Sequence, residues 1–136
     1  DENMRALFTF LFNSLSTAHA SFKSRTYITP LENQLKQLHL EISNSLEQKH
    51  SIARCAKQLN ISESYFQLIY KKLFGISFQQ DLILMRVTRA RFNLSTSNLS
   101  LSQIAEFCGY NNEVHFYRQC KKLTGVTPAQ YRKHPF

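Results

Sequence analysis

The chain has 136 residues, 43% of them hydrophobic, with three Gly, three Pro and no Trp. That composition suits a compact helical protein and excludes a disordered tail or a β-sandwich. The net charge is +8, and all of it lies beyond residue 50: residues 51–136 carry twelve Lys or Arg against Glu63, Asp81, Glu106 and Glu113, whereas residues 1–50 balance.

A basic half of this kind is the electrostatic footprint of a module that meets a polyanion. Cys55, Cys108 and Cys120 are odd in number and form no C-x-x-C pair. A disulfide framework is therefore not expected, and a reducing cytoplasm is. The histidines are scattered without ligand spacing, so neither a metal nor another cofactor is expected. There is no nucleophile–base pattern and no phosphate-cradling Gly loop, which sets an enzyme aside.

Residues 4–18 read as an apolar helix, with Leu7, Leu11 and Leu15 on one stripe and Phe8 and Phe12 beside them. Ala6 to Phe12 followed by Ala18-His19-Ala20 imitates a secretory signal. Asp1 and Glu2 precede the run, however, and Asn13 interrupts it early. The stretch is too short to span a membrane, and no membrane partner is expected. A stripe of this kind calls for a partner: a homodimer through residues 4–18, or docking on an effector domain. The chain starts at Asp1 and not at Met, as a piece of a longer protein would. Ser21 to Thr29 is a polar connector. Thr29-Pro30 then reads as an N-cap followed by Pro at the first helical position, opening a helix through Leu31, Leu35, Leu38, Ile42 and Leu46 that ends near Gln48.

Beyond this point the sequence repeats itself. Lys71-Lys72-Leu73-Phe74-Gly75 matches Lys121-Lys122-Leu123-Thr124-Gly125 at an offset of 50, as Phe66 matches Phe116. Ile52-x-x-Cys55-Ala56 matches Leu101-x-x-Ile104-Ala105 at an offset of 49. The one-residue slip falls between the halves of each unit, where a turn would lie. A duplicated pair of short helices explains this most simply, and each copy reads as a helix-turn-helix. In the first (52–74), Ile52, Cys55, Ala56 and Leu59 form the stripe, Asn60 tolerates a left-handed turn, Ile61 covers the core and Ser62 caps the second helix. In the second (101–124), Leu101, Ile104, Ala105 and Cys108 form the stripe, Gly109 takes the left-handed position, Tyr110 plugs the core and Asn111 is the expected N-cap. Gly75 and Gly125 sit where C-terminal caps belong.

Residues 78–94 read as a helix joining the units. Seventeen residues at about 1.5 Å each give roughly 25 Å. With the bodies of the flanking units added, two second helices come about one DNA turn apart, roughly 34 Å. Thr127-Pro128 starts a last short helix through Tyr131. The predicted fold is all-α: two helix-turn-helix subdomains on a long linker helix, preceded by an apolar helix.

Gln103-Ile104-Ala105-x-x-Cys108-Gly109-Tyr110 through His115-Phe116, then Lys121-Lys122-x-x-Gly125-Val126-Thr127-Pro128-x-x-Tyr131-Arg132, closely resembles the C-terminal signature of the AraC/XylS family of transcription regulators. With a leading helix at 31–50, the resemblance covers residues 29–136. It implies a DNA-binding domain whose two subdomains both enter the major groove, joined to an effector-binding or dimerisation domain of which residues 1–28 resemble the trailing part. Double-stranded DNA is the implied partner. RNA polymerase is a second, since the function expected is that of an activator.

Helical period separates the DNA-facing side chains from the buried ones. Ser64, Gln67 and Leu68 in the first unit, and Asn112, Glu113, Tyr117 and Arg118 in the second, lie opposite the stripes and are the candidate base readers. Gln67 can pair bidentately with adenine and Arg118 with guanine, and Leu68 can meet a thymine methyl. Lys71, Lys72, Lys121 and Lys122, with Arg86 on the linker helix and Ser62 and Asn111 at helix starts, are the candidate phosphate contacts. The sequence departs from the family pattern at Leu68, where Arg is common, at Asp81, where an aromatic is common, and at Gln119-Cys120, which replace a bulkier apolar pair. The alternative function is an interaction module acting through residues 4–18, with DNA binding secondary.

Overall fold

The first described helix begins where chemistry demands it. Thr29 Oγ1 accepts the Glu32 N–H at 3.2 Å, while the Glu32 carboxylate accepts the Thr29 N–H at 3.3 Å, a reciprocal cap just ahead of Pro30. This is a computed structural model that describes residues 29–135. The apolar helix expected at 4–18, and the rest of residues 1–28, lie outside the described residues.

Helix α1 spans Pro30–Ser43, five residues shorter than the periodicity suggests. Ser43 Oγ donates to the Leu40 carbonyl at 2.8 Å and Ser45 Oγ to the Glu41 carbonyl at 2.6 Å. The Asn44 N–H still bonds the Leu40 carbonyl at 3.1 Å, but the Ser45 N–H turns to the Ile42 carbonyl at 3.0 Å, and the Ser45 hydroxyl takes the Glu41 carbonyl in place of the next helical N–H. Leu46, the end of the expected stripe, is buried all the same, from an irregular segment and not a helix. Next come α2 (Ile52–Gln58), α3 (Glu63–Phe74), α4 (Phe78–Thr96), α5 (Leu101–Phe107), α6 (Glu113–Thr124) and α7 (Pro128–Lys133). Among the described residues the chain is all-α.

The repeat holds at atomic detail. Ala56 O accepts the Ile61 N–H at 3.0 Å and Ala105 O accepts the Tyr110 N–H at 2.9 Å. The residue before each acceptor pair's closure is left-handed, Asn60 at φ 56° and Gly109 at φ 92°. Both second helices end on a left-handed Gly whose N–H meets a Lys carbonyl, Lys71 or Lys121, at 2.8 Å. The slip is therefore one inserted residue, Asn111. Its insertion corrects the expected cap: Asn112, not Asn111, caps α6, with Oδ1 accepting the Val114 N–H at 2.7 Å. In the first unit Ser62 caps as expected, through the Tyr65 N–H.

Helix α4 ends two residues later than expected, at Thr96. Thr96 Oγ1 and Ser97 Oγ donate to the Phe92 and Asn93 carbonyls at 2.6 Å each, which closes its last turn. Nineteen residues give it a length of about 28 Å. It buries Asp81, Leu82, Leu84, Val87, Ala90 and Leu94, positions on more than one side, because both units pack on it. Helix α3 meets it on one part; α5, α6 and α7 meet it further along.

The first unit's core joins Leu35, Leu38 and Ile42 of α1 to Cys55, Ala56, Phe66, Tyr70 and Phe74. Phe78 closes it, with its ring edge-on to Tyr70 at 5.4 Å. Inside sits Asp81, fully buried. One carboxylate oxygen accepts from Tyr70 Oη at 2.5 Å and from His39 Nε2 at 3.1 Å, and the other has no partner. His39 stacks on Phe74 at 4.7 Å. The acidic residue thus replaces an aromatic with a polar tie between α1, α3 and α4. Burial and the neighbouring carboxylate push the Tyr70 phenol well up, so it donates and does not ionise.

Candidate nucleic-acid interface

Phe66, Tyr70 and Phe74 are buried in α3, and Phe116, Cys120, Leu123 and Thr124 in α6. That leaves the opposite face of each helix to solvent. Ser64, Gln67, Leu68 and Lys71 are exposed on α3, as are Val114, Tyr117, Arg118 and Lys121 on α6, and the two sets correspond one to one at the repeat offset. Leu68 is 65% exposed and Tyr117 43%.

An open groove of about 710 Å³ runs beside α3, lined by Ile52, Ser64, Gln67, Leu68, Lys71, Lys72, Ser77, Phe78 and Gln79. It gathers five of the sequence-derived candidates of the first unit. Lys71-Lys72 and Lys121-Lys122 occupy the last turns of their helices, where cations also complement the carbonyl ends. Two lysines at each helix end flank the exposed face with positive charge.

Other candidates fall elsewhere. Asn112 is exposed, but its side-chain oxygen is engaged in the cap, and Glu113 stands in the first turn of α6. Asn111 is exposed as the inserted residue of the turn. Ser62 has its hydroxyl occupied by the Tyr65 N–H at 3.1 Å.

Arg86, a candidate phosphate contact in the sequence, is engaged within the fold. Its Nη2 donates to the Gln48 carbonyl at 3.4 Å, its guanidinium lies 5.8 Å from the centre of the Tyr110 ring, and its Nε is buried. Burial lowers its pKa from the usual range. The other linker arginines are also held by the fold. Arg89 pairs with Glu47 at 3.4 Å, and Arg91 donates to Tyr131 Oη at 3.0 Å.

The sequence reading overlooked Tyr65, 45% exposed, and Val114, 57% exposed. Both fall outside the buried period of their helices, which was the available signal. Val114 is the counterpart of Ser64 and offers α6 an apolar contact. The departure at Gln119 has a structural use, since it accepts a hydrogen bond from Tyr110 Oη. Cys120 is buried in the core of the second unit. Among the described residues no cluster of His, Cys, Asp or Glu could hold a metal ion, and no helix is long and apolar enough to cross a membrane.

A paired, exposed face at the same register of two duplicated units is the geometry of a double helix-turn-helix. The family described as "Helix-turn-helix domain" matches residues 55–134. The chain belongs to that family, in its AraC type. The curated relatives it matches are described as transcriptional regulators or operon regulatory proteins.

A Bacillus subtilis protein, the uncharacterized HTH-type transcriptional regulator YtdP, is 33% identical over 92 residues, 68% of this chain and 12% of its own length. The HTH-type transcriptional activator RhaR of Salmonella schwarzengrund is 29% identical over 104 residues, 76% of this chain and 37% of its own. The chain thus spans a minor part of these curated relatives. The solved DNA-binding domain of the global transcriptional factor AdpA, in complex with a target DNA, superposes with a TM-score of 0.71. It is 26% identical, covering 74% of this chain and 90% of that one.

Proposed function

We propose that residues 29–136 are the DNA-reading domain of a transcription activator, inserting α3 and α6 into successive major grooves on one side of a duplex. The observation that carries this reading is the exposed face repeated on the two helices above equivalent buried stripes. Ser64, Gln67 and Leu68 on α3, and Tyr117 and Arg118 on α6, supply the base contacts, with Glu113 and Asn112 at the helix start beside them. Gln67 suits adenine, Arg118 suits guanine, and Leu68 and Val114 suit thymine methyl groups. Lys71, Lys72, Lys121 and Lys122, helped by Ser62 and Asn111, hold phosphates and so fix register without reading sequence. Arg118 is the stronger reader, because its counterpart Leu68 can make only an apolar contact.

Selection of bound sites from random DNA, followed by footprinting with Arg118→Ala and Gln67→Ala, tests the assignment. Arg118→Ala is expected to lose about 1–3 kcal/mol of discrimination at one base position. Unchanged affinity and unchanged preference would remove α6 from the reading role.

Residues 1–28 then form the trailing part of an effector or dimerisation domain, and their stripe at 4–18 makes a homodimer. Sedimentation with and without residues 1–25 checks this, and a monomer in both cases refutes it. Activation implies RNA polymerase as a partner in the cytoplasm, and the activator name of the RhaR relative supports that direction. Transcription in vitro from a promoter carrying the selected site decides it.

A further inference from the structure

The geometry points to residues 44–48 as a strap that sets the spacing between the two recognition helices, with Glu47, Arg86, Arg89 and Gly109 as its positioning residues. The inference rests on the two-groove reading proposed above and says what limits it. Helix α3 packs on α4, and so do α5, α6 and α7. With that helix alone between them, the two units would share a single rod and could tilt about it.

The strap supplies a second connection. It leaves α1, which is tied to the first unit through Leu35, Leu38 and Ile42 in the core and through His39 on Asp81. It then reaches the turn of the second unit. The Leu46 carbonyl oxygen lies 2.0 Å from where a Cβ on Gly109 would stand, so the two backbones touch at the only kind of residue that allows it. The Gln48 carbonyl accepts from Arg86 at 3.4 Å. Arg89 Nη1 donates both to Glu47 Oε2 and to the Phe107 carbonyl at the end of α5, each at 3.4 Å.

The contact continues to the reading helix. Arg86 lies against the Tyr110 ring, and Tyr110 Oη donates to Gln119 on α6. The path from α1 to the second reading face therefore runs strap, turn, Tyr110, Gln119. Its far end lies on the side of α6 that carries no DNA contact in the proposed reading.

The consequence is specificity for half-site spacing. One added base pair moves a half-site by about 3.4 Å and turns it by roughly 35° around the duplex. Two helices held by both α4 and the strap cannot follow that change, whereas helices held by α4 alone can. The full chain is assayed for binding to its selected site and to the same site with one base pair inserted or removed between half-sites. Proteins compared are wild type, Arg89→Ala, Arg86→Ala and Arg89→Lys, each first checked for helix content and melting.

Wild type is expected to lose about tenfold in affinity per spacer change. Arg89→Ala and Arg86→Ala should lower that ratio to roughly twofold, with the smaller effect on the selected site itself, and Arg89→Lys should restore it, since Lys can still donate to Glu47. Arg89 is part-exposed, so its variants keep the test open if Arg86→Ala does not fold. Full discrimination retained by Arg89→Ala would overturn the strap alone. A wild type indifferent to spacing would overturn the two-groove reading and the strap's role with it.

Discussion

Replacing Gly109 with Ala isolates the close approach that joins the two halves of the molecule. The residue adopts φ 92°, a conformation that costs an L-residue about 1–2 kcal/mol. The added Cβ would also stand 2.0 Å from the Leu46 carbonyl oxygen. That neighbour is backbone, so no rotamer change relieves the overlap. The segment from 44 to 48 has to withdraw by an ångström or more, disturbing buried Leu46 and the Gln48–Arg86 bond. Overpacking of this kind adds about 1–3 kcal/mol, giving about 2–5 kcal/mol in total. For a domain near 100 residues that lowers Tm by more than roughly 8 °C. Gly75→Ala, at φ 75°, serves as the control for the left-handed backbone. Thermal melting of both variants decides the matter: a Gly109→Ala variant no less stable than Gly75→Ala would refute the argument from backbone contact.

Three further outcomes follow from the same physics. Asp81→Ala should destabilise by about 2–4 kcal/mol and Tyr70→Phe by about 1–2, because each strands a buried polar partner. Denaturant melts of the two singles and the double should show clear non-additivity, and additive losses would mean the two side chains are independent. Burial pushes the Cys108 thiol to about 11 and Cys120 to about 12, from the ordinary 9.0. The unfolded chain therefore releases these protons first, and stability should fall as pH rises from about 9 towards 11 or 12. Urea melts at pH 8 and pH 10.5 check this; a thiol reagent at pH 8 should also label all three cysteines only after unfolding. Lys71→Ala or Lys121→Ala should weaken binding to every DNA sequence alike and reduce the slope of log affinity against log salt by about 1. Titration at several salt concentrations measures it, and a sequence-selective loss would move these residues from phosphates to bases.

Much of the candidate interface was legible because helical period alone separates Phe66, Tyr70 and Phe116 from Gln67, Leu68 and Arg118. Once the second helix of each unit is located, its wet and dry faces follow. Tyr65 and Val114 obey the same rule and were readable by it. Arg86 was not readable, because its place in a basic linker helix is equally compatible with facing phosphate or facing inward. Its partners, Gln48 and Tyr110, lie tens of residues away in either direction, and only packing brings them to the guanidinium.

By itself the sequence determined the described helices, the duplication, the left-handed positions at Asn60 and Gly109, and the glycine caps, since each depends on neighbours within a few residues. Local chemistry was less complete where a hydroxyl competes for a carbonyl, as at Ser45, and where a single inserted residue moved the cap from Asn111 to Asn112. Tertiary structure alone decided the tie of His39 and Tyr70 on Asp81, the inward turn of Arg86, and the meeting of Leu46 with Gly109. These contacts join residues 11 to 63 positions apart in the chain. No periodic pattern encodes them, because their energy arises only when two finished elements arrive at the same place.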